Sequence, residues 1–273
     1  MLPEPLIFLV SDRTGITLEG LVRTLLSQFE GIEQVPVFRP FIDTADKIDR
    51  VREEIAERAG VGDVLPIVFC SIADPVLRTR LKGARARVFD IFDTFLPTLS
   101  EALGLSTSSR VGQTHGMGDP VDYDRRVEAM NFALSFDDGS RLRGLEHAQL
   151  ILVGVSRSGK TPTCLYLAMQ YRVFAANYPL TEDDFLQGCL PQALRPLRDR
   201  LFGLSIAPER LRRIREERRA DSVYASLQQC RKEVSAAEGL FRTEGIPFVD
   251  STALSIEELA VAILHRAGLH RTA

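Results

Sequence analysis

The sequence predicts an α/β protein built on two parallel sheets, and three observations carry that reading. Short apolar runs alternate with amphipathic segments along the whole chain, the pattern of strand–helix–strand crossovers. Polar, glycine-bearing turns follow two of those runs, at Ser11–Thr17 and at Gly154–Thr161. A long stretch rich in Ser, Thr and Gly, residues 105–120, breaks the rhythm between them. The expected organisation is an N-terminal parallel α/β domain over 1–104, a loop and connecting helix over 105–145, and a second α/β domain over 146–273.

The first domain opens with Leu6–Val10, an apolar run with buried-strand character. The turn Ser11-Asp12-Arg13-Thr14-Gly15-Ile16-Thr17 leads into Leu18, Leu21, Val22, Leu25 and Leu26 at helical spacing. Such a turn is where α/β folds place ligand groups. It equally reads as a capped helix start, with Thr14 or Thr17 as the cap. Val35–Phe41 reads as a second strand and Thr44–Ala59 as a charged helix with a solvated face. A third strand is expected at Val64–Cys70 with a helix through Leu81, then a fourth strand at Arg87–Phe92 and a helix at Phe95–Leu103.

Beyond the long loop, which contains His115, Tyr123–Phe136 reads as a helix closed by Asp137-Asp138-Gly139. Paired carboxylates there suit a metal or a proton acceptor, and the same tripeptide is also an ordinary helix-ending turn. Leu150–Val153 is the next strand. After Gly154–Thr161 come a helix from Pro162, a strand at Val173–Tyr178, an acidic helix start at Glu182–Asp184 and a strand at Leu201–Ile206. An arginine-rich helix from Pro208, a long helix over Tyr224–Phe241, a strand at Ile246–Thr252 and a closing helix at Ile256–Leu264 complete the pattern. Residues 270–273 read as a frayed tail.

Gly154-Val155-Ser156-Arg157-Ser158-Gly159-Lys160-Thr161 matches the phosphate-loop pattern G-x-x-x-x-G-K-[ST], in strand-to-helix context. The glycines permit close backbone approach, and the helix N-terminus with the loop N–H groups faces phosphate oxygens. Lys160 is expected at the β- and transferred phosphates and the Thr161 hydroxyl on Mg²⁺. No strand ends in an unambiguous Asp to complete the metal site; Asp250 and the Asp137–Asp138 turn both qualify. The arginines after Pro208, Arg215 and Arg218 among them, resemble the lid of small phosphate-loop kinases. They equally fit a solvated helix with Glu–Arg pairs.

Composition restricts the partners. The net charge of −3 over 273 residues gives no global basic field for nucleic acid or an anionic membrane. No apolar run approaches the roughly 20 residues of a membrane span. The N-terminal segment lacks a basic region followed by an apolar one, and the four cysteines are scattered without a C-x-x-C pair. A cytoplasmic protein is expected, with no structural zinc. The apolar surface of two open sheets suggests a homodimer. From the residues alone the chain is a phosphotransferase, its C-terminal half a P-loop kinase-like α/β domain.

The run from Gly154 to Thr163, with Leu165–Gln170 and Ala175–Pro179, resembles the family of bacterial phosphoenolpyruvate synthase regulatory proteins. It is similar, more distantly, to the pyruvate, phosphate dikinase regulators. Leu201–Leu204, Pro208–Leu211, Ile214–Arg219, Tyr224–Leu227, Gln229–Arg231, Ser251-Thr252 and Ile256–Glu258 extend the resemblance, as do Ser11-Asp12, Thr14, Thr17 and Thr114-His115-Gly116. Two positions depart from it: Phe136 stands where the family has histidine, and Arg13 where glycine is expected.

The resemblance implies a bifunctional serine/threonine kinase and phosphorylase. It would move phosphate from ADP to a threonine of phosphoenolpyruvate synthase, inactivating it. It would also remove that phosphate onto inorganic phosphate, releasing pyrophosphate. ADP, inorganic phosphate and Mg²⁺ are the implied co-substrates and metal, with the synthase as protein partner. Asp12, Asp137 or Asp138 would orient or deprotonate the target hydroxyl, with Ser11, Thr14 and His115 as further candidates. An ATP-dependent small-molecule phosphate-loop kinase and a non-catalytic nucleotide sensor are the competing readings.

Overall fold

The computed structural model describes residues 5–32, 35–59, 64–107, 120–139, 141–219 and 222–269. The chain divides into two compact units, Met1–Gly118 and Asp119–Ala273. Each is an α/β unit around a four-stranded parallel sheet. His115 and the tail at 270–273 lie outside the described residues.

In the first unit the strands are β1 (Ile7–Ser11), β2 (Val37–Arg39), β3 (Ile67–Ser71) and β4 (Arg87–Asp90), in the order β2-β1-β3-β4. Helices α1 (Ile16–Leu26), α2 (Ala45–Arg58), α3 (Pro75–Lys82) and α4 (Ile91–Leu103) alternate with them. Successive side chains of β1 point to opposite faces. Phe8 and Val10 therefore join Ile48, Val51 and Ile55 of α2 and Leu77 and Leu81 of α3. Ile7 and Leu9 join Leu18 and Val22 of α1. Both faces of β1 are thus covered, which is why its sequence is continuously apolar.

Two local expectations change here. The residue at the start of α1 is Gly15, in a left-handed conformation (φ 68°), and no side chain caps the helix, so neither Thr14 nor Thr17 serves as the cap. Helix α4 starts at Ile91 rather than Phe95, because the Asp90 carboxylate accepts the Asp93 N–H and ends β4 early.

The second unit contains α5 (Pro120–Ser135), β5 (Leu150–Gly154), α6 (Lys160–Tyr171), β6 (Ala175–Pro179) and α7 (Glu182–Gln187). These are followed by β7 (Leu201–Ser205), α8 (Pro208–Arg218), α9 (Leu227–Glu244), β8 (Phe248–Asp250) and α10 (Ile256–Arg266). The strand order is β6-β5-β7-β8. On one face Ala129 and Ala133 of α5 pack with Cys164, Leu167 and Ala168 of α6 and Leu259, Ala260 and Ile263 of α10. On the other, Ile151 and Val153 meet Leu211 of α8 and Cys230, Val234 and Phe241 of α9. The expected helix over Tyr224–Phe241 is split: Val223–Ala225 forms a 3₁₀ turn, and the Ser226 hydroxyl caps α9 by accepting the Gln229 N–H.

Candidate functional site

Strand β5 runs into its loop at a point where no side chain fits. A Cβ on Gly154 would lie 2.4 Å from the Leu204 carbonyl oxygen on the neighbouring strand. At the other end Gly159 (φ 93°) starts α6 without a side-chain cap. That leaves the first N–H groups of α6 without a capping acceptor from the protein, the arrangement that suits an anion. Arg157 also has a positive φ (76°), so the loop holds a conformation L-residues rarely adopt.

A loop that turns its N–H groups to one side turns its carbonyls to the other, and those need donors. Three are supplied. Lys160 Nζ donates to the Val155 carbonyl at 2.8 Å. Arg215 donates to the Ser156 carbonyl at 3.2 Å, and the Ser251 hydroxyl to the Ser158 carbonyl at 3.0 Å. Lys160 is buried, and burial pulls its pKa down to about 8, against the opposing pull of Asp138, Cys164 and Asp137. The Ser158 hydroxyl is buried without a partner inside the loop.

The Asp137–Asp138 turn is brought to the loop by Asn177 of β6. The Asn177 backbone N–H donates to the Phe136 carbonyl (3.1 Å) and its carbonyl accepts the Gly139 N–H (3.3 Å). The Asn177 side chain accepts the Asp138 N–H (3.0 Å) and donates to Asp137. Held this way, Asp137 accepts the Thr161 hydroxyl at 2.7 Å. Asp138 is exposed, at a positive φ of 51°. Phe136 is buried in the apolar core against Phe132, with its carbonyl tied to β6. Asp250 instead accepts the N–H and hydroxyl of Thr252. Of the two acidic positions left open by the sequence, the Asp137 turn is the one that meets Thr161.

The arginines of α8 divide. Arg218 is exposed in the last turn, whereas Arg215 is wholly buried, its guanidinium engaged by Glu233 (2.6 Å) and by the Tyr224 and Ser156 carbonyls.

In the first unit Ser11 and Asp12 are buried and Thr14 is exposed. The Asp12 carboxylate accepts the Ala73 N–H at 2.7 Å, and the Ser71 hydroxyl donates to Ser11 at 3.0 Å. Arg13, exposed at the departing position, gives its carbonyl to the Phe41 N–H.

Thr161 and Asp137 supply hard oxygen donors, the type Mg²⁺ takes together with waters and substrate oxygens. Among the described residues no group of three or more His, Cys, Asp or Glu is placed to hold a metal ion. No described helix is long and apolar enough to cross a membrane. Sequence reasoning missed Asn177, Tyr224, Glu233 and Ser251. Asn177 carried a signal as an amide inside a strand, and Tyr224 and Ser251 lie in stretches that carry the family resemblance, whereas Glu233 carried none.

Comparison with known proteins bears on this geometry. The profile of the kinase/pyrophosphorylase family matches residues 7–264. A protein of Laribacter hongkongensis, provisionally named phosphoenolpyruvate synthase regulatory protein, is 50% identical over 265 residues, 97% of each chain. A protein of the same provisional name from Bordetella avium is 46% identical over 265 residues, again 97% of each chain. One from Legionella pneumophila strain Corby is 45% identical over 97% of this chain and 98% of its own.

Proposed function

The chain belongs to the kinase/pyrophosphorylase family, and from that premise we propose that it regulates a phosphoenolpyruvate synthase by reversible phosphorylation. The observation that carries the reading is the convergence of Lys160, Thr161 and Asp137 at the uncapped N-terminus of α6. In the forward reaction a threonine hydroxyl of the target attacks the β-phosphorus of ADP. The new P–O bond forms as the bond to AMP breaks, and the hydroxyl proton passes to a carboxylate. In the reverse reaction inorganic phosphate attacks the phosphothreonine and leaves as pyrophosphate, restoring the hydroxyl.

Phosphoryl transfer is mostly positioning and charge stabilisation. The loop N–H groups and Lys160 bind the phosphate oxygens, with Val155, Ser156, Arg157 and Ser158 shaping the loop. Thr161 and Asp137 would hold Mg²⁺, which when bound offsets charge on the phosphates. Asp138, exposed beside them, takes the proton-accepting role in this reading, and Arg218 the role of an arginine that reaches the transferred group. Asp12 is a candidate of the first unit, its carboxylate already tied to the Ala73 N–H.

The test compares β-labelled ADP with γ-labelled ATP as donors to purified phosphoenolpyruvate synthase, with Lys160→Ala as control. Label from ADP on a synthase threonine, lost in the variant, is the expected result. Transfer from ATP to a metabolite instead would make the chain a small-molecule kinase. Tight nucleotide binding without any transfer would make it a sensor. Asp138→Asn and Asp12→Asn, assayed in parallel, identify the carboxylate; full activity in both would sink both assignments.

A further inference from the structure

The arginine-rich helix α8 and the turn after it reach Gly154–Thr161, and their role follows from the reading of that stretch as the phosphate-binding loop. We propose that Arg215 and Tyr224 are positioning residues that clasp Ser156 and so set the affinity of the loop for nucleotide phosphate. Arg215 is 0% exposed, and its two terminal nitrogens are fully engaged. One donates to the Tyr224 carbonyl at 3.0 Å, the other to Glu233 at 2.6 Å and to the Ser156 carbonyl at 3.2 Å. The guanidinium lies 4.0 Å from the centre of the Tyr224 ring. That ring's hydroxyl returns to the same residue of the loop, donating to Ser156 Oγ at 3.0 Å. Glu233 is itself steadied by the Gln229 amide one helical turn away, at 3.0 Å.

Ser156 is therefore held twice, through its carbonyl and through its hydroxyl, by two residues that hold each other. The position held matters. Ser156 immediately precedes Arg157, whose positive φ places the loop in a sparsely populated conformation that surrounding contacts must impose. Fixing the Ser156 carbonyl on buried Arg215 turns the Arg157 N–H of the same trans peptide the opposite way, as an anion-binding loop requires. An arginine suits the task because it stays charged and its planar fork serves several acceptors at once. Only the buried Nε remains without a partner, so Arg215 acts on phosphate through the loop and not by touching it.

The test measures Mg²⁺-ADP affinity by calorimetry for the wild type, Tyr224→Phe, Ser156→Ala, their double variant, Arg215→Lys and Lys160→Ala, with a thermal midpoint for each. Tyr224→Phe removes one hydroxyl and keeps the ring, so it isolates the bond to Ser156. The expected result is a Kd raised about 3- to 10-fold in Tyr224→Phe and in Ser156→Ala, the effect of one neutral hydrogen bond. The double variant should be no weaker than either single one, because both remove the same bond. Arg215→Lys should weaken binding further, with phosphoryl transfer at saturating ADP changed less than KM. Unchanged Kd in Tyr224→Phe and Arg215→Lys, with binding lost in Lys160→Ala, would overturn the clasp and leave the phosphate loop standing. Additive losses in the double variant would overturn it as well. Equal binding by wild type and Lys160→Ala would remove the phosphate-loop reading, and the clasp with it.

Discussion

The two units share one strand order, second-first-third-fourth, and in each the first strand runs through a turn into a first helix that a left-handed glycine starts. In such a sheet the order of successive strands reverses between the first and third strands, where α/β folds open a crevice. What fills it differs. In the first unit Ser11 and Ser71 face each other across the strand ends and Asp12 pins the turn to the Ala73 N–H. In the second unit the strand end is glycine, the turn is longer, and its carbonyls are held by Lys160, Arg215 and Ser251. Side chains knit the first turn to its own sheet, whereas in the second turn side chains hold the carbonyls and the Ser158 N–H closes back on the Val155 carbonyl at 3.3 Å. One topology therefore carries two different strand-end turns, and the residues at the ends of the strands set the difference.

The largest expected effect separates the units by activity. Lys160→Ala should lower phosphoryl transfer by about a thousandfold, with an unchanged circular dichroism spectrum. Asp12→Ala assayed beside it should cost far less if the first turn is knit for structure. Comparable losses would break the comparison.

Arg78 tests the first unit by stability. It is buried beside buried Asp90 at 3.5 Å and donates to the Ile72 carbonyl. Arg78→Ala leaves that carboxylate with the Asp93 N–H and the more exposed Lys82 at 3.8 Å, and should cost about 3 kcal/mol in denaturant unfolding. A loss under about 1 kcal/mol would mean the pair is solvated in solution.

The two strand-end turns also differ in what an added methyl meets. Gly154→Ala drives a Cβ onto a backbone carbonyl that cannot step aside, while Gly15→Ala meets the Phe38 ring at 2.6 Å. Both should destabilise by about 1–3 kcal/mol. Only Gly154→Ala should also weaken ADP binding, and titration of both variants checks it. Gly159→Ala has open space around it, so its cost is the φ of 93° alone, about 1 kcal/mol.

The smallest effect is in pH. Burial holds the Lys160 pKa near 8, below the ordinary 10.5. Anion binding needs the protonated form, so ADP affinity should fall about tenfold from pH 7 to pH 9. The unfolded chain keeps that proton to about 10.5, so unfolding takes up a proton between these values and this group's contribution to stability rises with pH across them. Lys160→Met should flatten that rise. An affinity flat across pH 7–9 would place the free lysine's pKa well above 8.

Much of the fold was legible. Apolar runs such as Leu150–Val153 declare a strand buried on both faces, and the glycines that follow mark the turn from strand to helix. Boundaries were less so. The Asp90 side chain moved the start of α4 forward, and Ser226 cut the helix expected from Tyr224, because a single capping bond outweighs the propensity of a turn. Arg215 and Arg218 looked alike in sequence, three positions apart in one basic run. One is buried in a clasp and the other is exposed, which the run itself does not reveal.

By itself, then, the sequence determined the α/β alternation, the glycine-bearing turn between Leu150–Val153 and the next helix, and the family, because period, spacing and residue type are local properties. The tertiary structure decided which carboxylate meets Thr161 and which arginine serves the loop. Asp137 reaches Thr161 through Asn177, 40 residues away, and Arg215 reaches Ser156 across 59. Contacts at such separations exist only once the sheet has brought β5 between β6 and β7 and packed α8 and α9 over its face. No local pattern encodes them.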